Sequence, residues 1–262
     1  MADRARRGQL FVVGTGIKLV AHTTLEALDC IKRADILLYG VSDPATEVWL
    51  RRLNASATTL NDCYAEGKPR VKTYLEITER ILAALRTGAL VCAAFYGHPG
   101  VFVDPAHDAI RRARREGFPA QMLPGISTED CLFADLGVDP GANGCQSFEA
   151  TDFLARRRRF DPTSALILWQ AGALGEPSIG ERMKARPERL RRLMSVLRKH
   201  YAASHPIVLY EASQFPISDP RIKRIRLSAL PSTKVWPITT LYIPPKPSRK
   251  PDQAVMRWFD EK

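Results

Sequence analysis

The strongest constraint on this chain is an alternation that begins at residue 9 and runs through its first half. Short apolar runs of strand length exchange with segments of helical periodicity. "QLFVVGTG" reads as a buried strand, "TLEALDCIKRAD" as a helix opened by Thr24, and "ILLYG" as a second strand. A longer helix follows from about Arg70 to Thr87. Then come a third strand, "LVCAAFYG", a helix whose start Pro105 fixes, and a fourth strand in "AQMLPG". Parallel strands need a crossover between them, usually a helix. Strict alternation therefore predicts a largely parallel sheet with helices on its faces.

The stretch "LGVDPGANG", Leu136 to Gly144, is rich in turn residues and reads as a domain boundary. Beyond it, "SALILWQAG", "PIVLYEA" and "VWPITTLYIPP" give three further strand-like runs with helices between the first two. The expected class is α/β: an N-terminal domain over residues 1–136, a C-terminal domain of more mixed strand direction over 137–245, and an arm over 246–262. The arm starts proline-rich and polar, which predicts an extended segment, and its apolar end, Ala254 to Phe259, could dock on this or another subunit.

Composition removes several function classes. No window has the run of apolar residues that a membrane span needs, and Leu10 to Val13 is too short for a signal-peptide core. The expected location is the cytoplasm, with no membrane partner. Cys30, Cys63, Cys92, Cys131 and Cys145 are odd in number and form no C-x-x-C pair, so they read as reduced core thiols. The histidines show no metal-ligand pattern, and no metal is expected. The net charge of +11 suggests an acidic partner. Much of it lies in "IRRARREGF" and "RPERLRRLMSVLRKH", where arginines alternate with apolar residues at helical spacing, as on solvated helix faces. The block Arg156 to Arg159 admits two readings, a solvated loop or helix end and a docking patch for an acidic peptide.

Ligands of an open parallel sheet bind beyond the carboxyl ends of its strands. Three glycine turns lie at such ends: Gly14 to Gly16, Tyr96 to Gly100 ("YGHPG"), and Leu123 to Ser127 ("LPGIS"). A fourth, Trp169 to Gly172 ("WQAG"), follows a strand of the second half. Together they predict one shared cleft. It is not a nucleotide site of the usual kind, because Leu19 stands where the third fingerprint glycine belongs and no phosphate-loop sequence occurs. The Gly-x-Pro-Gly turn has a structural reading as a tight connection. Its functional reading is a glycine that lets a ligand approach the backbone, flanked by Tyr96 and His98.

"GTG", "YGHPGVF", "LPGIS", "ADLGVDP", "SFEATDFL" and "LILWQAG" occur in the order and at about the spacing found in the borosin peptide α-N-methyltransferases, which the chain resembles from about Gln9 to Pro245. Those enzymes form part of the tetrapyrrole-methylase superfamily. The resemblance implies a tetrapyrrole-methylase-like fold of two α/β domains with the cofactor cleft between them. It also implies transfer of methyl groups from S-adenosylmethionine to backbone amide nitrogens of a ribosomal peptide, repeated along the substrate. Tetrapyrrole methylases proper usually carry aspartate where His98 stands. The chain ends soon after "TLYIPP", without a hydrophobic core peptide, so it is similar to a split bacterial member acting in trans. The implied partners are a separate precursor with an acidic leader and a second copy of the chain, giving a heterotetramer.

By similarity to the family motifs, Gly14, Gly16, Tyr96, Gly97, His98, Val101 and Phe102 line the cofactor, with Ser127, Gln170, Ala171 and Thr240, and more weakly Thr239, holding other parts of it. For Val101 and Phe102 the plain alternative is core packing. An amide nitrogen is a poor nucleophile because its lone pair is delocalised, so its methylation calls for a base and an oxyanion donor in one dry site. Arg70 and Tyr74 stand four apart on one predicted helix face, a spacing that also suits a surface pair. The resemblance implies Tyr74 as base or proton relay, Arg70 as the cation that lowers its pKa and polarises the amide, and Tyr64 as an orienting group. Fused members carry a further tyrosine near Asn61, which this chain lacks. Two rival readings remain: a tetrapyrrole C-methyltransferase, and a nucleic-acid-binding protein on an inactive methylase fold. No nucleic-acid partner is expected, because the charge lies mostly on helix faces.

Overall fold

The computed structural model describes residues 8–176, 185–247 and 250–260. The chain packs as two units. The first holds residues 8–136 together with 212–220, a segment from much later in the sequence; the second holds the other described residues.

The first unit runs β1 (Gln9–Gly14), α1 (Leu25–Arg33), β2 (Ile36–Gly40), α2 (Pro44–Leu53), β3 (Thr58–Thr59), α3 (Arg70–Arg86), β4 (Leu90–Phe95), α4 (Asp104–Arg115), β5 (Ala120–Met122) and α5 (Thr128–Leu136). Its strands pair in the order β3-β2-β4-β1-β5, all parallel. Both faces are covered. On one, Leu10, Val12, Val91, Ala93 and Phe95 pack with Ile77, Ile81, Leu82 and Leu85 of α3 and with Ala106, Ala109 and Ile110 of α4. On the other, Val13, Leu37, Tyr39, Cys92 and Ala94 pack with Ala27, Cys30 and Ile31 of α1 and Leu50 of α2. Burial on both faces is why these strands read as unbroken apolar runs.

The helix signals act locally as the sequence suggests. The Thr24 side chain caps α1 by accepting from the Ala27 N–H at 3.1 Å. Pro105 lies in the first turn of α4, where its missing N–H is not needed. Helix α2 and the two-residue β3 escaped the sequence reading. Asp43, whose carboxylate accepts from the Thr46 N–H at 2.8 Å, was the available signal for α2.

The second unit contains α6 (Pro140–Asn143), β6 (Cys145–Glu149), α7 (Ala150–Ala155), β7 (Ala165–Trp169), α8 (Pro187–Leu197), β8 (Pro206–Glu211), β9 (Arg221–Arg226), β10 (Thr240–Ile243) and α9 (Gln253–Asp260). Its sheet has the order β6-β7-β10-β8-β9, with β6 and β7 parallel and the other neighbours antiparallel. Strands β6 and β9 were missed because "CQSFE" and "RIKRIR" lack an apolar run. The apolar end of the arm forms α9, whose Val255, Met256, Trp258 and Phe259 are all exposed. No helix among the described residues is long and apolar enough to cross a membrane.

Candidate active site

Two neighbouring strands send their following helices to opposite faces of the first sheet. After β1 the chain turns to α1, which packs on one face; after β4 it turns to α4, which packs on the other. Such a switch point opens a crevice at the carboxyl ends of the two strands. The turns that line it are Gly14 to Gly16 and Tyr96 to Gly100.

These turns are held against each other by glycine. The Gly16 N–H donates to the Gly97 carbonyl at 3.2 Å, and the Gly97 N–H donates to the Gly16 carbonyl at 3.0 Å. A Cβ on Gly14 would lie 2.1 Å from the Gly97 oxygen, and one on Gly16, at φ +71°, would lie 2.3 Å from the His22 Cβ. A Cβ on Gly125, in the turn after β5, would meet the Gly97 oxygen at 3.2 Å and the Gly14 Cα at 3.3 Å. Three sequence-predicted turns thus meet. Other protein backbone and His22 come close to Gly14 and Gly16, so packing alone already requires glycine there.

Around this knot stand the predicted side chains. Tyr96 is half-buried, and burial raises its phenol pKa while a hydrogen bond from Gln214 at 3.4 Å opposes the rise. Gln214 belongs to the returning segment 212–220 and also accepts from the Leu19 N–H at 2.9 Å; nothing in the local sequence marked it. His98 turns back on its own loop, where Nδ1 accepts from the Gly100 N–H at 2.9 Å, and His107 Nε2 lies 2.8 Å from the Gly100 carbonyl oxygen. Val101 and Phe102 are 39% and 47% exposed, so the core-packing alternative fails. Phe102 holds φ at +58°, a conformation that non-glycine residues adopt at a cost. Ser127 is buried but committed to α5: its hydroxyl accepts from the Glu129 and Asp130 N–H groups while the Asp130 carboxylate accepts from the Ser127 N–H and hydroxyl. That is a capping box, which explains the serine without a ligand.

The acceptor-side trio is also in the first unit. Pro69 sets the start of α3, so Arg70 falls in its first turn and Tyr74 one turn later; Tyr64 closes the short 3-10 turn Asn61–Cys63 before it. Arg70 lowers the pKa of both phenols, as expected of a cation. Burial is the larger influence and overturns the expected net effect: Tyr74 is raised, and Tyr64 is pushed up to about 12. Asp104, the first residue of α4, raises Tyr74 further. Because α4 follows the "YGHPGVF" loop directly, Asp104 links that loop to Tyr74, and no sequence motif marks it. Arg70 Nε is buried and has no hydrogen-bond partner among the described residues. A buried donor without an acceptor costs stability unless something binds it.

In the second unit, Gln170 adopts a left-handed conformation at φ +54°, which turns the chain into Ala171 to Ala173. The Ala171 N–H donates to the Thr239 carbonyl at 2.9 Å, and a Cβ on Gly172 would sit 1.9 Å from the Trp236 oxygen. The Thr239 hydroxyl donates to Glu211, whose carboxylate also pairs with Arg221 at 2.6 Å. Thr239 is therefore spent on structure, with Thr240 buried beside it on β10. Of the block Arg156 to Arg159, Arg156 and Arg158 both pair with Asp152, at 2.6 and 2.7 Å. Asp152 thus engages two of the four arginines, and its single carboxylate offsets one of the block's four positive charges.

The tetrapyrrole (corrin/porphyrin) methylase family matches residues 9–214. The methyltransferase/ribosomally synthesized cyclic peptide gymnopeptides precursor of Gymnopus fusipes is 42% identical over 98% of this chain and 62% of its own length. The omphalotin A precursor of Omphalotus olearius is 38% identical over the same shares. The chain thus spans about three-fifths of these relatives. Among solved structures, uroporphyrin-III-C-methyltransferase from Thermus thermophilus superposes with a TM-score of 0.64 at 20% identity, covering 91% of this chain and 92% of that one. The same enzyme complexed with S-adenyl homocysteine gives 0.62 at 18% identity over 90% and 92%. The switch-point turns lie inside the matched region, and the chain belongs to the tetrapyrrole (corrin/porphyrin) methylase family.

Proposed function

We propose that this chain methylates backbone amide nitrogens of a peptide with S-adenosylmethionine as donor. The residues present suit that donor: the crevice turns offer backbone polar groups, exposed Val101 and Phe102 and a half-buried phenol, and they lack a phosphate loop. When bound, the donor supplies an electrophilic methyl group. Glutamine, alanine and threonine in the second unit, Gln170, Ala171 and Thr240, are a second candidate set to be tested separately.

The observation that carries the acceptor assignment is the buried, unpartnered Nε of Arg70, whose charge acts on the half-buried Tyr74 phenol and on the more exposed Tyr64. Arg70 donates to the amide oxygen, which draws the nitrogen lone pair further into the carbonyl and acidifies the N–H. Tyr74 takes that proton, and the guanidinium favours the phenolate that does so. Tyr64, with its pKa near 12, stays neutral and orients the amide by hydrogen bonding. Repeating the step on successive amides gives iterative methylation. The gymnopeptide and omphalotin relatives join methyltransferase and precursor in one chain. The acceptor therefore includes a tethered peptide as well as the separate precursor that a trans-acting homodimer would use.

The test is incubation of the protein with S-adenosylmethionine and a valine- and glycine-rich peptide, followed by tandem mass spectrometry of both peptide and enzyme chain. Methyl groups on backbone nitrogens of either one support the reading, and the chain that carries them separates action in cis from action in trans. Methylation of uroporphyrinogen instead would replace it with the tetrapyrrole reading.

A further inference from the structure

Strand β9 forms one end of the second sheet, paired on one side with β8 and with no strand beyond it among the described residues. Its sequence, Arg221 to Arg226, alternates basic and apolar residues, "RIKRIR". The pairing runs one to one from Pro206↔Arg226 to Glu211↔Arg221, without a bulge. The Leu227 N–H donates to the His205 carbonyl at 2.9 Å, which fixes the parity of the ladder. In an antiparallel pair, hydrogen-bonded and non-bonded positions alternate. Arg221, Lys223 and Ile225 therefore spend their backbone groups on β8, whereas Ile222, Arg224 and Arg226 direct theirs away from the sheet.

That edge is unusual in two respects. Edges are guarded against association by shortness, bulges, proline or charge; β9 is six residues long, without bulge or proline, so its basic side chains are the guard, and they repel another basic edge while admitting an acidic strand. Its charge is also of one sign. Arg221 is neutralised by Glu211, but Lys223, Arg224 and Arg226 are exposed and meet no carboxylate within ion-pair distance among the described residues. Ile222, 37% exposed, adds an apolar contact on the same face as Arg224 and Arg226.

We propose that the outer edge of β9 is a docking edge for an extended acidic peptide segment, which adds to the second sheet as a further strand. Backbone bonds to Ile222, Arg224 and Arg226 set its register, and Lys223, Arg224 and Arg226 select acidic side chains. The proposal stands apart from methyl transfer, since binding needs no donor.

The probe is a short fluorescein-labelled peptide of alternating glutamate and valine, followed by anisotropy with the full chain. Binding is expected to weaken with salt and to vanish in Lys223→Glu/Arg224→Glu. Arg224→Pro removes an outward N–H and leaves the β8 ladder intact, so it should weaken binding about tenfold, the worth of one hydrogen bond, beyond the loss in Arg224→Ala. The same peptide N-methylated at every residue, which removes the N–H groups of both strand edges, leaves the protein untouched and should bind no better. Equal binding of the N-methylated peptide or of a lysine and valine peptide would overturn the proposal. So would a concentration-dependent dimer that Arg224→Pro abolishes while peptide binding is unchanged.

Discussion

At the scale of single residues, the chemistry turns on a contest over two phenols. Arg70 pulls their pKa values down, and burial pushes them up further. Removing the cation as Arg70→Gln should therefore move both phenol titrations upward, and Asp104→Asn should move Tyr74 downward; absorbance of the phenolate, with Tyr64→Phe and Tyr74→Phe as references, reads both signs. If Tyr74 acts as phenolate, the methylation rate should rise about tenfold per pH unit through the neutral range, since that is how the phenolate fraction grows below its pKa. A flat profile would assign Tyr74 to neutral hydrogen bonding. Tyr74→Phe should lower the rate by about 10² to 10⁴, the usual contribution of a proton-transfer group, with little change in donor affinity measured by calorimetry. The Arg70–Tyr74 pairing was legible because four-residue spacing puts both on one helix face. The net direction of their pKa shifts was not, because burial is set by residues remote in sequence.

At the scale of elements, the glycine turns join strand ends to the crevice and must satisfy packing first. Gly14→Ala puts a methyl group against the Gly97 carbonyl and should destabilise the protein by about 1–3 kcal/mol, as overpacking does. Gly67→Ala, with open space around its Cβ and φ +74°, should lose only about 1 kcal/mol of backbone strain. Chemical denaturation of the two variants gives the comparison. Ser127→Ala should cost about 1 kcal/mol through its lost cap; if donor affinity stays unchanged, Ser127 serves α5 and not the donor. The turns were visible in sequence as glycine at the ends of apolar runs. Their mutual contact was not visible, since β1 and β4 lie some eighty residues apart in their pairing, as in Gly14↔Phe95. The basic strand β9 was hidden for a different reason: an edge strand needs no continuous apolar run.

At the scale of the whole molecule, buried tyrosines link stability to pH. Tyr201 is 3% exposed, burial pushes its pKa up to about 12, and its hydroxyl has no partner among the described residues. Its folded-state pKa exceeds the unfolded value of about 10, so the stabilisation is complete below pH 10 and is lost as pH rises towards 12. Thermal unfolding should show a falling melting temperature over that window. Tyr201→Phe should soften the fall and be nearly neutral at pH 7, since no hydrogen bond is removed. The amino-acid sequence by itself determined the alternation of strand and helix, the parallel first sheet, the mixed second one and the position of the glycine turns. These follow from local periodicity and from what glycine and proline permit. Only the tertiary structure decided that β1 and β4 are neighbours with helices on opposite faces, that residues 212–220 return to the first unit with Gln214, and that burial outweighs Arg70 at the phenols. Strand order, chain return and burial depend on which distant segments exclude water from one another, and no local pattern encodes that choice.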